Sequence, residues 1–192
     1  MRELKERVNM RTRKFHFIQE ASVALSVASL IVFGATAPSA FAGSKAPTKN
    51  PYGTVSIDPA APGTPVLSLT KGAITKSYTL AQLEKMATKS ITIYEPFLEV
   101  KQNFNVISLA SLFKKVGIKP TDSVVTTALN DYVYTNTGAN FLAANGYLAV
   151  KRNGLDIPYD QGGPDRIIFP TGSKWSKFLD PWNWSLSSIS VK

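Results

Sequence analysis

The sequence predicts an α+β domain of mixed, mostly antiparallel sheets with short helices between them, and three observations carry that prediction. Short segments rich in β-branched residues alternate apolar and polar positions, as half-buried strands do. Two other stretches place apolar residues at helical spacing behind a capping side chain. Turn signals separate these segments at short intervals, and neither a GxGxxG turn, a P-loop nor an internal repeat stands out.

In chain order, the folded unit begins near Val66. Val66–Leu69 and Ala73–Tyr78 flank Lys71-Gly72, so a hairpin is expected. Thr79-Leu80-Ala81-Gln82 has capping-box spacing, in which hydroxyl and amide satisfy early helix donors, and a helix over about Leu80–Ala87 follows. Ser90–Tyr94 alternates as a strand. Ser108 caps a helix through Leu109, Leu112, Phe113 and Val116, and Gly117 stops it. Ser123–Leu129 and Tyr147–Lys151 read as strands, the second turned by Asn153-Gly154 into Leu155-Asp156-Ile157. Gly162-Gly163-Pro164 breaks the chain. Arg166–Phe169 is a short buried strand ended by Pro170, Ser173–Leu179 is expected to form one or two helical turns, and Trp184–Val191 is a closing strand.

Ahead of this unit the composition changes twice. Arg2, Lys5, Arg7, Arg11, Arg13 and Lys14 precede a small and apolar run from Ala21 to Ala37 and then Ala40-Phe41-Ala42, the order of a secretory signal. Residues 1–42 are therefore expected to be a signal peptide cleaved after Ala42, leaving a secreted or extracytoplasmic protein with no stable membrane span. Arg11-Thr12-Arg13-Lys14 lacks the twin-arginine pair, so export of an unfolded chain is expected, with no cofactor inserted beforehand. Residues 43–65, with Pro47, Pro51, Pro59, Pro62 and Pro65 among small residues, read as a flexible linker, and residues 66–192 as the domain.

Composition then limits the chemistry. The chain has no cysteine and one histidine, His16, inside the signal. The domain is thereby denied Ser-His-Asp and Cys-His catalysis, disulfides, thiolate or imidazole metal sites and haem held by either group. Removing the six basic and three acidic residues of the signal from 22 and 13 leaves 16 and 10, a net +6. Fourteen of those 16 are lysines scattered along the chain, which favours solubility and attraction to anionic envelope polymers over a nucleic-acid groove. Nucleic acid is not an expected partner.

Several segments, taken together, have a family look: Phe104–Leu109 with Leu112-Phe113 and Gly117, Ala128-Leu129-Asn130-Asp131-Tyr132, Asn153-Gly154, Gly162-Gly163-Pro164 with Arg166–Pro170, and Trp184-Ser185-Leu186 with Ile189 and Val191. In this order they resemble the oxidoreductase molybdopterin-binding domain, the fold of sulfite oxidases, in a compact exported form covering about Val66–Val191. The resemblance implies molybdopterin as cofactor, with molybdenum held by a pyranopterin dithiolene and one protein cysteine. The stretch Glu95–Asn105, read as the loop where those enzymes carry that cysteine, has no thiol. No cofactor is therefore expected. The expected function is a non-redox binding or accessory module at the cell envelope. The alternatives are an oxidoreductase subunit holding molybdopterin without a cysteine and a surface carbohydrate-binding or adhesion protein.

The candidate cleft follows from the resemblance: the Glu95–Asn105 loop, the Asn130-Asp131-Tyr132 turn and the Gly162-Gly163-Pro164 turn are its expected walls. Asp131 and Tyr132 read either as a polar floor or as a turn cap and a packed ring. Arg166, beside the amides of Gly162 and Gly163, with Arg152 or Lys174 nearby, reads either as a fork for a small anion or as a bridge to Asp165, Asp160 or a carbonyl. Trp182 and Trp184, with Trp175 and Tyr159, read either as a sugar-stacking surface or as core. Glu95 and Glu99 fall one turn apart if Pro96 opens a helix, the spacing of an acid/base pair.

Overall fold

A computed structural model describes residues 58–192; the expected signal, and residues 43–57 of the expected linker, lie outside the described residues. Among the described residues ten strands form two sheets. In the first, β1 (Pro65–Lys71) and β2 (Ile74–Thr79) make the expected hairpin, β10 (Leu186–Val191) lies parallel to β1, and β5 (Ser123–Ala128) and β6 (Val133–Thr137) continue the sheet antiparallel, in the order β2-β1-β10-β5-β6. The second sheet has the order β3 (Lys89–Glu95), β4 (Val100–Ser108), β7 (Tyr147–Arg152), β8 (Leu155–Asp156), with β9 (Arg166–Ile168) also paired to β7, and its ladders are all antiparallel. One parallel ladder among eight makes the fold α+β with mostly antiparallel sheets, the class that the sequence predicts.

Local signals account for the helices. In α1 (Leu80–Met86) the Thr79 hydroxyl accepts from the Gln82 backbone N–H and the Gln82 side-chain Oε1 accepts from the Thr79 N–H, the reciprocal capping box. In α2 (Leu109–Val116) Ser108 caps the start, Gly117 ends it at φ 75°, and Leu109, Leu112, Phe113 and Val116 form the buried stripe. These residues meet Leu67, Leu69, Phe104, Leu148 and Ile189 in one hydrophobic core. Trp175 anchors its far side, with the rings of Phe141 and Phe169 each 5.3 Å away and nearly perpendicular.

Three expectations are revised. Glu95–Asn105 is not a loop: Ile93 and Glu95 of β3 and Gln102 and Phe104 of β4 alternate onto a buried face, so pairing runs from Lys89↔Val106 to Glu95↔Val100 and leaves only residues 96–99 as a turn. Ser173–Leu179 is a succession of turns rather than helix, with Ser173 N–H bonding Pro170 O and Ser176 N–H bonding Ser173 O. The closing strand starts at Leu186 rather than Trp184, because Ser185 sits at φ 48° and Trp184 makes only an isolated bridge to Arg166. Strand β6 and helix α3 (Gly138–Ala143), capped by Thr137, have no counterpart in the sequence expectations. Among the described residues no helix is long and apolar enough to cross a membrane.

Candidate functional site

The β3–β4 turn is built around one carboxylate. Glu95 is fully buried; its Oε1 accepts from Arg166 NH2 at 2.8 Å, and its Oε2 accepts from the backbone N–H groups of Phe97 and Leu98 at 3.1 and 2.7 Å. Both oxygens are thus engaged. Arg166 opens β9, is equally buried, and lies between the rings of Phe104 and Trp184, 5.3 and 5.1 Å from their centroids. Its guanidinium is a counter-ion below the surface. Glu99, at the other end of the turn, is exposed at φ 58°, so Glu95 and Glu99 do not face one another as an acid/base pair.

Above Arg166 the turn meets two other segments. Phe97, the β5–β6 turn and the loop leading to Trp184 enclose a cleft of about 240 Å³. Its aromatic walls are Phe97, Tyr132, Trp182 and Trp184, with Phe97 and Trp184 packed edge to face at 4.2 Å. Tyr132 is fixed at both ends. Its N–H donates to Asn130 Oδ1 at 3.2 Å and its hydroxyl donates to the Asp180 carbonyl at 3.0 Å. Burial, and then the charge of Asp180, raise the Tyr132 hydroxyl above its usual pKa range.

Asn183, fully buried, also lines the cleft. Its Nδ2 donates to Thr126 Oγ1 at 3.1 Å, and the Thr126 hydroxyl in turn donates to the Tyr134 carbonyl, which fixes the amide orientation. Among the described residues Asn183 Oδ1 has no hydrogen-bond partner.

The remaining candidates divide. Tyr132, Gly162 and Arg166 converge on Trp184: a Cβ on Gly162, which sits at φ 84°, would lie 3.1 Å from the Trp184 ring. Gly163 packs elsewhere, since a Cβ there would overlap the Ile157 carbonyl. Asp131 is exposed at φ 64° and does not line the cleft. Arg152 donates to Gln161 Oε1, and Lys174 donates to Asn140 Oδ1 with its ammonium 5.9 Å from the Trp175 ring. Phe97 belongs to the Glu95–Asn105 segment expected as a wall, whereas Ala128, Leu179, Asp180 and Asn183 line the cleft from outside the expected walls. Asn183 lies between Trp182 and Trp184, and no local sequence signal marks its amide as buried.

Asp165 is a different case. It is fully buried, neither oxygen has a partner among the described residues, and desolvation holds its carboxyl well above 3.8. A second groove, about 740 Å³, lies between residues 59–64 and Ile157–Asp160, with the Ala60 N–H donating to the Tyr159 hydroxyl at 3.0 Å. Residues 58–64 of the expected linker therefore run along the domain, and Pro65 is already in β1. Among the described residues no three His, Cys, Asp or Glu side chains come together to hold a metal.

Comparison with known proteins reaches the fold and stops there. No family model matches the chain, and no curated protein matches it. Among solved structures it is similar to the sulfane dehydrogenase SoxCD from Paracoccus pantotrophus, at 13% identity and a TM-score of 0.51, over 65% of this chain and 37% of that one. The likeness supports a molybdopterin-oxidoreductase-like fold, and the chain spans little more than a third of its neighbour's length.

Proposed function

We propose that this chain is an exported binding or accessory module that keeps a sulfite-oxidase-like fold and has given up metal-centred redox chemistry. The observation that carries the reading is the state of Glu95. The resemblance puts the metal-binding cysteine of the enzymes in the region of the β3–β4 turn. The turn here, Glu95 to Glu99, contains no sulfur, and both oxygens of its buried carboxylate are engaged, one by Arg166 and one by backbone amides. A soft thiolate is the ligand that suits the dithiolene-bound metal, and a carboxylate engaged in an ion pair does not substitute for it. The residues present do not fit the group.

In this reading Tyr132 walls the ligand cleft while Gly162 and Arg166 support Trp184 from behind. The export signal and the extracytoplasmic location belong to the same proposal, on the strength of the Ala40-Phe41-Ala42 triplet. The test is elemental. Protein purified from its exported form and assayed for molybdenum and for pterin fluorescence should contain neither. Stoichiometric molybdenum would overturn the proposal in favour of a cysteine-independent oxidoreductase.

A further inference from the structure

A pocket of about 390 Å³ opens where the first residues of β3 and β7 and the end of β4 meet one face of α2. Lys89 and Lys115 are its charged groups, and no carboxylate lines it. Among the described residues neither lysine forms an ion pair, whereas Lys71 and Lys151 do. Two cations in one concavity without a counter-ion repel each other, and a bound anion relieves that repulsion. Tyr147, only 5% exposed, holds one of the two in place: its hydroxyl accepts from the Lys89 ammonium at 2.8 Å, and that ammonium stands 4.8 Å from the ring centroid. The phenol proton takes no part in that bond. Ser108 and Ser111, hydroxyl to hydroxyl at 2.8 Å, and Thr88 donate as readily as they accept, so the lysines decide the sign of the ligand. Met86, Val106 and Ile107 are the apolar part of the lining, and the volume lies within the range usual for small-molecule sites, roughly 300–1,000 Å³.

We propose that this pocket binds a small organic phosphate monoester, with the phosphoryl group on Lys89 and Lys115 and the apolar body against Met86, Val106 and Ile107. A phosphomonoester carries about 1.5 to 2 negative charges at neutral pH and so balances both ammonium groups, whereas a phosphodiester or a carboxylate balances one. The pocket shares no lining residue with the aromatic cleft, and the inference goes beyond the binding-module reading rather than resting on it.

The test is a titration of the isotope-labelled exported protein with phenyl phosphate at low ionic strength, followed by NMR. Backbone amide signals of Lys89, Ser108, Ser111 and Tyr147 should shift and saturate, while those of Tyr132 and Trp182, in the aromatic cleft, stay still. Benzyl alcohol, which keeps a ring and lacks the charge, should give no saturable shift at these residues. Methyl phenyl phosphate, a diester with a single charge, should bind about fivefold more weakly. Lys89→Gln and Lys115→Gln should each weaken phenyl phosphate by about fivefold, whereas Lys177→Gln, at an exposed position outside the pocket, should leave it unaltered. Lys115→Gln breaks no side-chain hydrogen bond among the described residues, so it keeps the test valid should Lys89→Gln disturb Tyr147.

Absence of saturable shifts, or equal binding of the diester or of benzyl alcohol, would overturn the proposal. So would a loss in Lys177→Gln as large as in Lys115→Gln, because overall positive charge rather than this pocket would then collect the anion. Inorganic phosphate should bind more weakly than phenyl phosphate, since it leaves Met86, Val106 and Ile107 uncovered; equal or tighter binding would overturn the assignment to an organic ester. These outcomes are separate from the molybdenum assay: a failed titration leaves the non-redox reading standing, and stoichiometric molybdenum removes that reading whatever the titration shows.

Discussion

Asp122 and Asp165 are the same residue in opposite situations. Asp122 sits in the turn between α2 and β5, where its Oδ2 accepts from the Lys119 N–H at 2.6 Å and from the Lys71 ammonium. Asp165 precedes β9, fully buried, and accepts nothing among the described residues. The first carboxyl is held below 3.8, chiefly by the backbone donor and then by Lys71; the second is held well above it by desolvation. Glu95 offers the contrast in donors. It is as buried as Asp165, yet it has an arginine and two amide donors. The fold rewards a carboxylate for donors and penalises depth without them.

The largest expected effect comes from removing the donor that makes burial tolerable. Arg166→Ala leaves the enclosed Glu95 without its guanidinium partner, so it should cost about 3–5 kcal/mol of stability in denaturant melts. The double variant Arg166→Met with Glu95→Leu, which removes both charges, should recover much of that loss. A single variant as stable as wild type would mean that the pair does not hold the β3–β4 turn to β9.

Next in size is the lone carboxyl. An acid whose folded pKa is raised stays protonated in the folded state while the unfolded chain ionises, so stability falls as pH climbs from 3.8 towards the folded value. Asp165→Asn cannot ionise. Stability measured across that window should fall with pH for wild type and be flatter for the variant, which should gain most at the alkaline end. A wild-type curve with no downward slope relative to Asp165→Asn would show that Asp165 has a donor after all.

A smaller effect belongs to the α1 cap. Thr79→Ala removes the hydroxyl that accepts from the Gln82 N–H and should cost about 1 kcal/mol, since typical cap losses run roughly 0.5–2 kcal/mol. Gln82→Ala should cost less, because it removes only the returning bond to the Thr79 N–H.

That cap was legible in the sequence for the same reason that Asp165 was not. Thr79 and Gln82, or Ser108 and Gly117, act on neighbours a few residues away, and such spacing is written in the chain. The Arg166–Glu95 pair spans 71 positions. Asp165, Asp160 and a carbonyl were the partners that proximity suggested for Arg166, and tertiary pairing across the sheet supplied Glu95 instead. Strand β6 escaped notice because Val133–Thr137 is a polar edge strand with little buried apolar alternation. Helix α3 escaped because Gly138 opens it, a residue that reads as a breaker. Here it is required by close approach, since a Cβ would overlap the Lys119 carbonyl. The α+β class survived these misses because it rests on the count and spacing of short strands rather than on any one of them. Two turns of the candidate cleft could be read from the resemblance, but the burial of Asn183 and its bond to Thr126, 57 positions away, could not.

The smallest effect, and the one of opposite sign to Asp165, is at Asp122. A lowered folded pKa means that its contribution is fully present above 3.8 and is lost as pH falls through the folded value, because the folded carboxylate must then be protonated against its donors. Asp122→Asn should therefore be less stable than wild type at neutral pH, and the difference should close on approach to about pH 2. The two aspartates thus pull the acid limb of the stability curve in opposite directions, Asp122 lowering stability on acidification and Asp165 raising it. Salt separates the donors of Asp122. The Lys71 ion pair is partly solvent-exposed and should be screened by about 1 M salt, whereas the Lys119 N–H bond is short-range and should persist. The difference between wild type and Asp122→Asn should accordingly shrink in salt without vanishing. A difference that is independent of pH, or one that salt abolishes, would assign the anchoring of this turn to something other than the Lys119 amide.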